Sequence, residues 1–179
     1  MADVNGDGYL DIYVCKSAAV NPDRRRNQLF INNGDLTFTE MGKVYGVDDP
    51  GYTTQAAFFD YDNDGDLDLY ILNHSTQEFA GLGKISKHNK NRKNKAYSDK
   101  LMRNDNGKFI DVSDEVGLIS NVLGFGLGIA ISDLNNDGWL DIYISNDYNE
   151  QDYLYFNNGD GTFKESLEDY IGHVSLYSM

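Results

Sequence analysis

Three short stretches of this chain crowd oxygen donors at one fixed spacing: DVNGDGYLD at residues 3–11, DYDNDGDLD at 60–68 and DLNNDGWLD at 133–141. Aligned, they share Asp at places one, five and nine, Asn or Asp at place three, and Gly at place six. One such stretch alone reads as a solvated acidic turn, because charge runs usually mark exposed faces. Three copies with the same spacing require a common chemistry, and a hard divalent cation supplies one. Calcium takes roughly six to eight oxygens at about 2.3–2.6 Å, and side chains at places one, three and five of a tight turn can face a single centre. The candidate ligands are Asp3, Asn5, Asp7 and Asp11; Asp60, Asp62, Asp64 and Asp68; and Asp133, Asn135, Asp137 and Asp141. Place seven adds the backbone carbonyls of Tyr9, Asp66 and Trp139, while the Asp66 carboxylate itself is expected to be solvated. Glycine at place six permits the sharp reversal. Without an ion, mutual repulsion is expected to raise the carboxylate pKa values.

The rival cation sites differ in their second halves. An EF-hand closes on Glu at place twelve and is flanked by helices; here place twelve is Val14, Ile71 and Ile144, inside apolar runs. Magnesium keeps several waters and uses few carboxylates. Up to three calcium ions, one per loop, are therefore expected, taking the formal charge of -14 to about -8. That charge, from 29 acidic and 15 basic residues, argues against nucleic acid as a partner, since phosphate rewards clustered positive charge.

Around the loops the chain repeats. Each loop runs into a β-rich segment, LDIYVCK at 10, LDLYILN at 67 and LDIYISN at 140. A strand ending in turn-forming Asn, Asp and Gly follows each, NQLFINNGD at 27, DKLMRNDNG at 99 and DYLYFNNGD at 152, and then TFTEM, KFIDV and TFKES. QAAFF and GFGLGIAIS precede the second and third loops, with small residues suited to close backbone approach. One repeat is thus strand A, acidic loop, B, C, turn and D, the size of a propeller blade. The fold class expected is all-β: a partial β-propeller of about three four-stranded antiparallel blades. Blade one is expected over 1–50 without strand A, blade two over 51–119 with an insertion at 74–98, and blade three over 120–171. GHVSLYSM at 172–179 would begin a following blade. Three blades do not close a ring, since propellers typically have about four to eight, so a segment of a larger propeller is expected.

With these loops between strands and GFGLG before the third, the chain resembles FG-GAP or VCBS repeats, the calcium-bearing propeller blades also found in integrin α-chains. More narrowly, GYTTQAAFFDYDNDGDLDLYILNHS and NNGDGTF are similar to exported propeller proteins carrying an ASPIC/UnbV module, a module not seen in this sequence. The resemblance implies a seven-bladed ring, structural calcium, the remaining blades as partners, and a place outside the cytoplasm: extracellular, periplasmic or on the outer cell surface. It implies no common reaction.

Other function classes find less support in the residues. His74, His88 and His173 are scattered, and no nucleophile elbow, HExxH or phosphate-cradling motif occurs. The chain itself is not expected to be an enzyme; the alternative is part of a propeller enzyme acting on polysaccharide, with its active site outside or across this segment. The insertion carries Lys84, Lys87, Lys90, Arg92, Lys93 and Lys95, with Lys100 just beyond and Arg24, Arg25 and Arg26 in the matching connection of blade one. An anionic glycan or acidic protein could bind there, against the plainer reading of a solvated loop. Cys15, the single cysteine, excludes an internal disulfide and reads as a small core residue. No apolar run is long enough to span a membrane, and MADVNGDG has no signal-peptide character.

Overall fold

The computed structural model describes residues 1–76, 93–119, 121–147 and 150–171. Each apolar run beside an acidic loop forms a strand, and strands adjacent in the chain pair with one another. The first sheet is β1 (Ile12–Val14), β2 (Gln28–Asn32) and β3 (Phe38–Glu40). The second is β4 (Thr53–Phe59), β5 (Asp68–Asn73), β6 (Lys100–Asn104) and β7 (Phe109–Asp111). The third is β8 (Gly126–Ser132), β9 (Asp141–Asn146), β10 (Tyr153–Asn157) and β11 (Phe163–Glu165). All pairings are antiparallel. The expectation of an all-β partial propeller holds. Where the first sheet would have a fourth strand there is a single bridge, Ala2 to Asp11.

Alternation along β5 explains why its residues are apolar on both faces. Leu69 and Ile71 join Val4, Leu29, Val47, Met102 and Phe109 in a core between the first and second sheets. Tyr70 and Leu72 join Phe59, Leu101, Ile142, Ile144, Tyr155 and Phe163 in a core between the second and third. Every residue of β5 is buried, whereas β1 is half-buried throughout. At roughly 1.5–3 kcal/mol per buried large apolar side chain, these two layers are the main stabilisation of the stack.

The innermost strands β4 and β8 approach closely, as their small residues suggest. Thr54 Oγ1 donates to the Gly126 carbonyl at 2.9 Å, and a Cβ on Gly126 would lie 2.4 Å from Leu72 Cδ1. Cys15 is half-buried and unpaired, and burial pushes its thiol up to about 11.

Candidate metal centre

Each acidic loop joins strand A to strand B, or in the first repeat Ala2 to β1. Its curl depends on two left-handed residues: Gly6, Asn63 and Asn136 at place four, and Gly8, Gly65 and Gly138 at place six. Asn and Gly are the residues that adopt this conformation at least cost. The place-four signal was present in the sequence as Gly, Asn, Asn and went unread beside the aspartates. The curl turns backbone N–H groups inward onto the place-one carboxylate. Asp3 accepts from Asp7 N at 3.1 Å and Gly8 N at 2.8 Å, Asp60 from Asp64 N at 3.2 Å and Gly65 N at 3.0 Å, and Asp133 from Asp137 N at 3.0 Å and Gly138 N at 2.9 Å.

Place nine is buried in all three copies: Asp11, Asp68 and Asp141 are at most 1% exposed. One oxygen of each accepts the N–H of place two, from Val4 at 2.9 Å, Tyr61 at 3.1 Å and Leu134 at 2.8 Å. The other accepts the N–H of an Asn ending strand C, from Asn32 at 2.8 Å, Asn104 at 2.8 Å and Asn157 at 2.9 Å. Those asparagines continue into the C–D turns, where their side-chain oxygens accept from Gly34 N, Gly107 N and Gly159 N. The place-nine Asp therefore ties its loop to the C–D turn on the same side of the blade. Sequence reading named the Asp but missed the Asn, although Asn recurs at that position in all three copies.

The loops differ in how closely they gather carboxylates. In the middle loop Asp60, Asp62 and Asp68 place oxygens within 4.8 Å of one another; among the described residues no other group of three acidic, histidine or cysteine side chains does so. Asp64 stands outside that group, and the acidic residues of the outer loops are not drawn together this closely. One oxygen of Asp62 and one of Asp66 are buried without a hydrogen-bond partner. Asp66, expected to be solvated, is thus partly enclosed. An unsatisfied buried carboxylate oxygen is costly, and a cation among these oxygens would remove the cost, so the residues fit one.

Titration follows the same geometry, with a different leading cause from the repulsion expected. Burial, first, pushes Asp68 up to about 7, opposed by the N–H groups of Asn104 and Tyr61, with Asp62 and Asp66 adding to the rise. Asp62 and Asp66 are also raised, by burial first and then by neighbouring aspartates. Burial of these carboxylates against the blade outweighs their mutual proximity.

The opposite ends of strands B and C carry a second recurring tie. Asp99 accepts from Asn73 N at 2.8 Å and Tyr70 OH at 3.2 Å; Asp152 does the same with Asn146 N at 2.7 Å and Tyr143 OH at 2.7 Å. In the first sheet Asn27 takes this place, accepting from Lys16 N at 2.8 Å and donating to Tyr13 OH at 3.0 Å. Burial pushes Asp99 up to about 7.

Among the described residues, the cations proposed from sequence as an anion-binding face do not share one free surface. Arg25 is 3% exposed, lies 3.6 Å from the Tyr52 ring centroid and donates to the carbonyls of Pro50 and Gly51, so it is a core residue. Arg26 pairs with Asp48 at 3.0 Å, Lys100 with Asp49, and Lys93 with Asp114. Arg24 and Lys95 lie on exposed positions. Lys84, Lys87, Lys90 and Arg92, like His88, His173 and the segment 172–179, lie outside the described residues. His74 packs edge-on against Tyr52 and beside Phe125, with ring centroids 5.8 and 5.2 Å apart.

Among the described residues no helix is long and apolar enough to cross a membrane. No curated protein matches the chain. The family model for the FG-GAP-like repeat matches residues 3–71 and 133–178, well over half of the length; the first region contains two of the acidic loops and the second contains the third. The repeated strand–loop–strand units and this match together show that the chain belongs to the FG-GAP-like repeat family.

Proposed function

We propose that this chain is a calcium-stabilised segment of a β-propeller that works outside the cytoplasm as a binding scaffold. The observation that carries the reading is the pair of buried, partnerless oxygens on Asp62 and Asp66 beside the Asp60, Asp62 and Asp68 group. A bound calcium ion supplies positive charge and oxygen coordination at the place where these side chains lack both. Asp60, Asp62, Asp64 and Asp68, with the Asp66 carbonyl, would hold it in the middle loop; the matching sets from Asp3 to Asp11 and from Asp133 to Asp141 would serve the outer loops. The protein's own part is positional. Place-one and place-nine carboxylates are already fixed by backbone N–H groups, so little ordering remains for the ion to impose. Lattice-like repetition of one blade, rather than a reactive side chain, is what the fold presents to a partner.

Extracellular calcium modules work with Kd near 10⁻⁴ to 10⁻³ M, which suits millimolar calcium and not the cytosol. Calorimetric titration of the 179-residue chain with calcium is expected to show saturable binding with Kd of about 10⁻³ M or tighter, and much weaker binding of magnesium. No heat of binding at millimolar calcium would overturn the reading.

A further inference from the structure

The three loops share a frame but not a donor set. In the outer loops the place-three Asn turns its amide onto the place-five carboxylate: Asn5 Nδ2 donates to Asp7 Oδ2 at 2.9 Å, and Asn135 Nδ2 to Asp137 Oδ2 at 2.7 Å. The remaining place-five oxygen accepts the N–H of place seven, from Tyr9 at 2.9 Å and Trp139 at 2.9 Å. Both oxygens of Asp7 and of Asp137 are thus occupied by the protein itself. Asp62 stands where those asparagines stand, and a carboxylate has no proton to donate. Asp64 accordingly keeps only the N–H of Asp66, at 3.1 Å, and Asp62 is left with a buried oxygen that nothing satisfies.

Place seven differs in the same sense. The rings of Tyr9 and Trp139 lie against the C–D turns, within 3.0 and 2.8 Å of where a Cβ on Gly34 or Gly159 would sit. Asp66 replaces the ring with a second carboxylate that has a partnerless buried oxygen. The outer loops each carry three carboxylates and the middle one five. Arg103 opposes this excess beside Asp62, but its guanidinium is held by Asp105 at 2.8 and 3.2 Å.

Resting on the calcium reading above, we propose that the middle loop is the dominant cation site of the chain, filled before the other two, and that Asp62 and Asp66 are the residues that make it so. Ligand charge sets affinity in loops of this kind, and in this loop alone the metal-free protein leaves carboxylate oxygens with no competing partner. The outer loops already satisfy theirs internally and gain less from an ion. The Asp66 carboxylate, which also accepts from the Asn106 backbone, adds beside the Asp60, Asp62 and Asp68 group a negative charge that the shared loop pattern does not contain.

The test is a calorimetric calcium titration of the whole chain and of single variants, with melting in chelator recorded for each. The wild type is expected to show one tight phase followed by weaker binding. Asp62→Asn and Asp66→Asn each weaken the tight phase by about tenfold, the loss of one carboxylate near the ion. Both also raise the melting temperature in chelator, because an unsatisfied buried charge is removed, and that rise shows that the variants fold. Asp7→Ala and Asp137→Ala leave the tight phase intact. Wild-type affinity in Asp62→Asn and Asp66→Asn, or loss of the tightest phase in Asp7→Ala or Asp137→Ala, overturns the inference while calcium binding stands. A wild type that binds no calcium removes the calcium reading itself.

Discussion

At the scale of single residues, aspartates of one motif do different work. Asp141 is fully buried and bridges Leu134 N to Asn157 N, whereas Asp137 is exposed and bonds only within its own loop. Asp141→Ala leaves two inward N–H groups without an acceptor and is expected to destabilise the calcium-free chain by roughly 1–3 kcal/mol in urea denaturation. Asp137→Ala changes calcium-free stability little. Asp99 provides a pH dependence of known sign: its carboxyl is raised from 3.8 to about 7 by burial. A group raised in the folded state contributes stability in full below its unfolded pKa, and that contribution is lost as pH rises through the folded value. Across about pH 4 to 7 in chelator, Asp99→Asn should therefore gain stability relative to wild type, as scored by melting at each pH. The equivalent residue of the first sheet is already Asn27, so the substitution suits the site. The recurrence of Asp at places one, five and nine, and of Asn or Asp at place three, was legible from spacing alone. The Asn partners of place nine were not, because Asn32, Asn104 and Asn157 lie 21, 36 and 16 residues from their Asp, and pairing across that distance exists only once strand C folds back.

At the scale of elements, strand type and order could be read from the chain because the repeat supplies three versions of each signal. β5 shows the limit of that reading. Its unbroken apolar run announces burial on both faces, but which face meets which neighbour follows from packing, with Leu69 and Ile71 on one side and Tyr70 and Leu72 on the other. The close approach of β8 was foreshadowed by its glycines, and it is specific: Gly126 faces the fully buried Leu72 and the Asn73 carbonyl. Leu72 has no free space to retreat into, so Gly126→Ala is expected to cost about 1–3 kcal/mol by overpacking, read from the denaturation midpoint. A midpoint equal to wild type would show that β8 does not pack tightly against Leu72 of β5. The opposite outcome for charge was not legible: Arg25 sits in a run of three arginines, yet it is drawn inward by carbonyls of the connection before β4 and by Tyr52.

At the scale of the whole molecule, two apolar layers hold three sheets in a stack, and the middle sheet is covered on both faces. The acidic loops all lie at the ends of strands B, tied by Asp11, Asp68 and Asp141 to the C–D turns. A chain of 179 residues with a formal charge of -14 gathers much of that charge in these loops, so the proposed calcium binding would be coupled to folding. Each site that binds only the folded chain adds about 2.7 kcal/mol at a hundredfold excess over Kd. The most direct measurement is thermal unfolding of the chain in millimolar calcium and again in excess chelator at the same pH and ionic strength. Expected is a melting temperature lower by several degrees or more in chelator, restored when calcium is added back, and unaffected by magnesium. Superimposable unfolding curves in the two conditions would contradict a structural ion in these loops.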